Sequence, residues 1–244
     1  METMWLHVCA PFAAFRWFQA GVYRATSPVI PPSSAYGLLL NVAAIEMREA
    51  VAEPITLIRS DVPLLRIAIG VVTPAERCSL YQQLHTYPVG NSGAEFKSRT
   101  HGAKYWITPV RREVLVGLDC VIGVQSHDMA LFDRVRRGLK GELEITRYGL
   151  PFAGDNNFLI DRIDEVATPP ATTVWYARMQ PDDPPRKGSC RLTVGIDRAD
   201  NSKTVSFLYA PVTSSVSEPP DQAWTWTPRE PVATSYAEGG CTND

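Results

Sequence analysis

Hydrophobic and polar residues alternate most regularly near the middle of the chain, which predicts a β-strand there. Between residues 114 and 124, six apolar side chains occupy alternate positions and would share one face of a sheet. Residues 64–72 repeat this alternation, and residues 5–10 form a shorter apolar strand at the start of the chain. These three segments predict a sheet with one buried face.

Two segments have the spacing or boundaries of helices. Apolar residues at 131, 132, 135 and 139 predict an amphipathic helix that Asp128 caps and Gly141 ends. A second helix is predicted to begin at Ser33, after Pro31 and Pro32, with the serines as caps. Backbone amides at that helix start would attract an anion such as a phosphate.

The order of these elements indicates an α+β fold. With a further strand at residues 142–148, the order becomes strand, helix, strand, strand, helix, strand. This order is typical of the ferredoxin-like or RRM-like unit, whose open sheet often binds RNA. Residues 76–112 separate its second and third strands and far exceed an ordinary hairpin turn of about 2–5 residues. We therefore predict an RRM-like domain over residues 1–150 with an inserted β-hairpin thumb.

The second half of the chain is predicted to be rich in strands. Alternation predicts strands at residues 173–179, 190–198 and 203–209, the last two joined by a turn at 200–202. We assign residues 151–211 to a small β-rich subdomain. Residues 212–244 are predicted to be a flexible or loosely docked tail, with Trp224 and Trp226 as its anchors.

Composition narrows the class of protein. A chain of 244 residues with 45% hydrophobic and 20% charged residues is typical of a soluble globular protein. It has no apolar run of the roughly 18–20 residues that cross a bilayer, and no basic leader precedes its first strand. The five cysteines are scattered, which indicates reduced cytoplasmic thiols rather than disulfides or a zinc site. We predict no metal, no cofactor and no membrane partner.

Charge is distributed unevenly although the net charge is only −2. The middle of the chain, from residue 96 to residue 112, contains no carboxylate, whereas the tail is acidic. The cations of this segment are Lys97, Arg99, Lys104, Arg111 and Arg112. A basic middle of this kind predicts one anion-binding surface.

Aromatic side chains interleave with these cations. Phe96, Tyr105 and Trp106 could stack on unpaired bases while the cations neutralise phosphates. The alternative is a solvated hairpin whose aromatic residues pack against the core. A second alternative is a metal-independent ribonuclease in which His101 and Tyr105 move protons and Lys104 stabilises the phosphorane.

Further arginines lie outside this segment. Arg16 and Arg24 could hold a phosphate beside the helix start at Ser33, although both could equally be ordinary surface residues. Residues 147–158 are dense in turn formers and lack the Gly-Lys-Ser/Thr end of a nucleotide-binding loop. We interpret them as a structural crossover in which Arg147 faces a ligand.

Two motifs resemble one protein family. The segment PPSSAYGLL at residues 31–39 looks like the start of the fifth family of CRISPR-associated (RAMP) proteins. The segment RYGLPFAGDNNF at residues 147–158, followed by Asp161 and Arg162, is similar to its DevS-like branch, associated with type I-B systems. The resemblance covers about residues 4–180.

The resemblance implies an RRM-like body with a hairpin thumb, in a subunit that caps the crRNA 5′ handle in Cascade. It also implies contacts with the backbone subunit, the large subunit and target DNA near the PAM. One branch of the family cuts repeat RNA with Tyr, Lys and His, whereas type I-B systems normally use a separate endoribonuclease. We therefore expect a non-catalytic RNA-binding subunit, with repeat-specific endoribonuclease activity as the alternative.

Overall fold

The structure is a computed structural model. It describes residues 1–17, 23–49, 58–88, 94–99, 101–102, 105–147, 149–197, 204–212 and 218–231. The strands are β1 (Glu2–Ala13), β2 (Tyr23–Arg24), β3 (Leu65–Thr73), β4 (Glu76–Pro88), β5 (Tyr105–Ser126), β6 (Arg162–Val166), β7 (Val174–Arg178), β8 (Cys190–Gly195), β9 (Val205–Val212) and β10 (Thr225–Thr227). The helices are α1 (Pro32–Val42) and α2 (Met129–Lys140), with short 3₁₀ helices at Ala94–Arg99 and Asp221–Ala223.

One sheet connects the described strands in the order β6-β1-β5-β3-β7-β9-β8. Each neighbouring pair along this path is antiparallel. Outside the path, β10 pairs with β3, whereas β2 and β4 pair with β5. The mostly antiparallel sheet and its two helices confirm the α+β class.

Both helices pack on the same face of the sheet. Alternate residues of β1, such as Leu6 and Val8, belong to a core cluster that also contains Leu39 of α1 and Phe132 of α2. The two helices approach closely at Gly138, where an added Cβ would lie 2.0 Å from the carbonyl oxygen of Val42. Neither helix of the described chain is long and apolar enough to cross a membrane.

The long insertion between the second and third predicted strands is a β-hairpin arm. Strand β4 continues from β3 after residues 74–75, and it pairs with the first half of β5 from Val116 to Tyr105. Because β4 has 13 residues, the arm is roughly 40 Å long at about 3.3 Å per residue.

The arm begins at a bend that changes which side chains face the core. Gly117 of β5 has a φ of +73°, a conformation that glycine adopts without steric cost. Beyond it Leu115 joins the core cluster, together with its β1 partner Ala13. The prediction that all alternate residues from 114 to 124 share one face is therefore wrong at this bend, since Val114 lies outside that cluster.

Two local predictions about helix ends have different outcomes. Asp128 caps α2 by accepting hydrogen bonds from the amides of Ala130 and Leu131, and Gly141 ends the helix in the left-handed region. Both features were predicted. For α1, however, the N-cap is Pro31, which has no side-chain cap hydrogen bond. The predicted serine cap is wrong because the helix begins before Ser33.

The predicted strand at residues 142–148 is also wrong over its described part. Residues 142–147 form no strand, and Tyr148 lies outside the described residues. The edge strand beside β1 is instead β6, where Cys9 pairs with Arg162.

The C-terminal strands extend the same sheet. The predicted strands appear as β7, β8 and β9, and Gly70 of β3 pairs with Trp175 of β7. The turn predicted at 200–202 lies outside the described residues. Further along the chain, β10 adds to β3, and the buried Thr227 donates a hydrogen bond to the carbonyl of Val194. The domain boundary that the sequence predicted at residue 150 therefore falls within one continuous sheet.

Candidate nucleic-acid interface

Aromatic and basic side chains form a row across three strands at the base of the hairpin. We call Tyr23, Arg77, Tyr81 and Arg111 the hairpin-base surface. Tyr81 lies directly opposite Arg111 in the β4–β5 pair, and the guanidinium carbon of Arg111 lies 5.9 Å from the centre of the Tyr23 ring. Tyr81 is 79% exposed. Its ring is therefore available to a ligand.

Neighbouring side chains hold the row in place. Arg111 donates two hydrogen bonds of 3.2 Å to the Ser79 hydroxyl. The Tyr23 hydroxyl donates to Glu113 at 2.8 Å, and this hydrogen bond raises the pKa of Tyr23. Arg77 lies 4.0 Å from the same carboxylate. Arg77 is thus the cation beside this largely buried carboxylate, and Arg111 adds a second exposed positive charge, which leaves the surface with a positive character.

Arg16 and Arg24 lie near this surface, and both are exposed. The backbone of Arg16 forms a bridge with Thr26. Arg24 pairs with Arg112 rather than with Arg111, so its side chain projects to the other side of the arm.

The predicted phosphate site at the start of α1 has few donors. Pro32 has no N–H, and the amides of Ser34 and Ala35 donate to the carbonyl of Pro31. In this first turn of α1, the Ser33 amide is the one N–H that does not donate to the Pro31 carbonyl. This geometry weakens the anion site that the sequence predicted there.

The predicted site residues nearest the tip are only partly described. Lys97 and Arg99 lie in the 3₁₀ helix Ala94–Arg99, where the Arg99 side chain is exposed. His101 is exposed on a turn with a φ of +48°. Tyr105 begins β5, and Lys104 lies outside the described residues. The ribonuclease arrangement of His101, Lys104 and Tyr105 therefore remains a sequence prediction.

Arg112 has intramolecular partners. Its guanidinium lies 2.5 Å from Asp155, and the two side chains are only 13% and 18% exposed. It also lies over the ring of Phe158 at 5.6 Å. Burial alone would raise the pKa of Asp155, but hydrogen bonds from Asn157 and Arg112 lower it overall. Arg112 thus ties the arm to the loop after residue 150.

Arg147 likewise has a partner within the chain. Its guanidinium donates to the carbonyl of Gly138 near the end of α2. This contact fastens the segment after α2 to the helix. The side chain is half-buried, so the arrangement favours a structural role over the ligand contact that the sequence suggested.

Sequence reasoning missed Arg77, Tyr81 and Tyr23. The signal for the first two was present, because Arg77, Ser79 and Tyr81 alternate along one strand. Tyr23 had no such signal, since only the parallel pairing of β2 with β5 brings it to Arg111.

Comparisons with known proteins establish the fold. No family model matches the sequence, and no curated protein matches it. A solved structure described as "CRISPR RNA-guided surveillance complex" contains a similar chain, with a TM-score of 0.51 and 14% identity over 86% of this chain and 89% of that chain. A second structure, described as "Crystal structure of Cas protein", has a TM-score of 0.46 and 12% identity over 86% of this chain and 94% of that chain. The first likeness shows that the two chains share a fold.

Proposed function

We propose that this chain is a non-catalytic RNA-binding subunit of a CRISPR surveillance complex, in which it holds the 5′ handle of the guide RNA. The observation that carries the proposal is the hairpin-base surface, on a fold shared with a chain of a CRISPR RNA-guided surveillance complex. The motifs at residues 31–39 and 147–158 support the same assignment and favour the DevS-like, type I-B branch.

The surface has the chemistry that single-stranded RNA requires. Tyr81 offers an exposed ring on which a base can stack, and Arg77 and Arg111 offer charge to the flanking phosphates. Arg111 is held by Ser79, so little side-chain entropy is lost when it binds a phosphate. Arg99 and Lys97 further along the arm would extend the contact towards its tip.

An RRM-like body fits this role. In the order β6-β1-β5-β3, strand β5 lies between β1 and β3, the strands before and after α1, as in a split β-α-β unit. The arm then leaves the body between β3 and β5. We assign the backbone and large subunits of the complex to the remaining surfaces of this chain, and target DNA to the PAM end. We assign the complex to the cytoplasm of a prokaryote.

The test compares two double variants in RNA binding. We expect Arg77→Ala with Arg111→Ala to weaken binding of a labelled single-stranded repeat RNA by at least tenfold, measured by fluorescence anisotropy. Lys140→Ala with Lys187→Ala removes two exposed cations that lie outside the arm and should leave binding unchanged. Equal urea midpoints would show that both variants are folded.

Two outcomes would contradict the proposal. Equal affinity of the two double variants would remove RNA from the hairpin-base surface. Cleavage of repeat RNA in EDTA, abolished by His101→Ala, would instead establish the endoribonuclease alternative.

A further inference from the structure

A cluster of three metal-binding side chains lies on the sheet face opposite the helices. His7 and Cys9 are on β1, and Asp119 lies directly across from Cys9 on β5. The Nε2 atom of His7 is 2.6 Å from Oδ1 of Asp119. The Cys9 sulfur is 3.6 Å from that nitrogen and 3.8 Å from that oxygen. One donor atom of each residue therefore converges on a single point.

The arrangement does not match a Cys-His-Asp catalytic triad. In a triad the two ring nitrogens of histidine have different partners, one the nucleophile and the other the carboxylate. Here Cys9 and Asp119 both contact Nε2 of His7. Burial also raises the pKa of Cys9, whereas a nucleophilic thiol needs a lowered pKa.

The distances suit a tetrahedral metal ion. Zinc bonds of about 2.0–2.3 Å place neighbouring ligand atoms about 3.3–3.5 Å apart. The two distances from the Cys9 sulfur are close to this value. Only the His7–Asp119 pair must open, by about 0.7 Å, when a metal replaces the proton that the two groups share.

We propose that His7, Cys9 and Asp119 bind a zinc ion, with the fourth position open to water. Thiolate, imidazole and carboxylate together favour zinc over magnesium or calcium, which prefer oxygen ligands alone. The His7 and Asp119 side chains are 19% and 26% exposed. An ion can therefore enter from solvent while the protein ligands stay anchored in adjacent strands.

Groups around the cluster would orient the ligands. Thr73 donates a hydrogen bond to Asp119, and Arg162 lies 3.8 Å from the Cys9 sulfur. Both contacts favour the anionic form that a metal ligand requires. On β6, Asp164 lies opposite His7 and pairs with Arg162 at 2.9 Å. These residues lie on β6 and β3, the two strands that flank β1 and β5.

Cobalt(II) reports the site directly, because thiolate coordination produces a charge-transfer absorption band. The purified full-length chain is titrated with cobalt chloride in a chelator-free reducing buffer. We expect the band to saturate at one cobalt per chain and to disappear when zinc is added. Cys9→Ser should abolish the band, and His7→Asn should weaken cobalt binding by at least tenfold.

The matched control is Cys78→Ser with Cys241→Ser. Cys78 is a half-exposed thiol that contacts Glu76, so this variant tests whether any accessible thiol suffices. It should retain the full band. A wild-type chain without the band, or a Cys9→Ser variant that keeps it, would overturn the proposal. If Cys9→Ser does not fold, unchanged cobalt affinity of folded His7→Asn would overturn it equally.

Discussion

At the scale of single residues, Tyr81 is the more exposed of the two tyrosines in the hairpin-base surface, and the proposed function predicts that an RNA base stacks on it. It is 79% exposed beside Arg111. We expect Tyr81→Ala to weaken binding of single-stranded RNA by about 1–3 kcal/mol, which is roughly a five- to 150-fold loss. Tyr81→Phe should keep most of the affinity because stacking needs only the ring. Fluorescence anisotropy measures both.

The neighbouring residue provides the control for this prediction. Leu80 is 40% exposed and pairs with Arg112 on the other side of the same strand. Leu80→Ala should therefore leave RNA affinity unchanged. If Leu80→Ala and Tyr81→Ala reduce the affinity equally, the loss comes from the arm as a whole and not from stacking on Tyr81.

Asp155 carries a prediction about stability and pH. Asp155→Asn leaves Arg112 largely buried without a carboxylate partner, so we expect a loss of about 1.5–3 kcal/mol in the free energy of unfolding at pH 7. Because the pKa of Asp155 is lowered in the folded state, its stabilisation is present above the ordinary carboxyl pKa of about 3.9 and is lost as pH falls through the folded-state value. Urea unfolding at pH 7 and pH 3 measures the difference.

Asp161→Asn is the control, since Asp161 is exposed. Its free energy of unfolding should stay within about 0.5 kcal/mol of the wild type at both pH values. A similar small change in Asp155→Asn at pH 7 would show that the Arg112–Asp155 pair does not stabilise the arm.

At the scale of elements, two helical glycines should respond in opposite ways to substitution by alanine. At Gly138 of α2 the new Cβ would lie 2.0 Å from the Val42 carbonyl oxygen, whereas at Gly37 of α1 no heavy atom lies within 4 Å. We expect Gly138→Ala to lower the free energy of unfolding by about 1–3 kcal/mol, because the helices must separate. Gly37→Ala should raise it by about 0.5–1 kcal/mol.

Urea unfolding of both variants measures this contrast. Arg134 strengthens the same helix contact by donating to the carbonyls of Ala43 and Ala44 at the end of α1. If Gly138→Ala were as stable as Gly37→Ala, the two helices would not be packed at their backbones.

At the scale of the whole molecule, RNA binding should depend strongly on salt although the net charge is −2. If the arm neutralises about four phosphates, the logarithm of affinity should fall with the logarithm of salt concentration at a slope of about −3. The Arg77→Ala, Arg111→Ala double variant should reduce this slope by about 1.4. Binding isotherms at several salt concentrations measure both slopes. A slope near zero would indicate a subunit that contacts only proteins.

The sequence alone established the features that depend on local periodicity. Strands β3, β7, β8 and β9, the part of β5 after Gly117 and helix α2 follow from the alternation or helical spacing of their own residues. The caps at Asp128 and Gly141 follow from side-chain and backbone chemistry that acts within one turn. The position of the arm was also predictable, because the residues between the second and third predicted strands are too many for an ordinary hairpin turn.

The tertiary structure decided the rest, since register between distant strands has no signature in local sequence. The bend at Gly117 changed the face of Leu115. Arg112 forms an ion pair with Asp155, which lies 43 residues further along the chain. Because 112 residues separate His7 from Asp119, the sequence did not reveal that these two side chains and Cys9 form one cluster. Each of these features depends on which strands lie side by side, and non-local hydrogen bonding sets that arrangement.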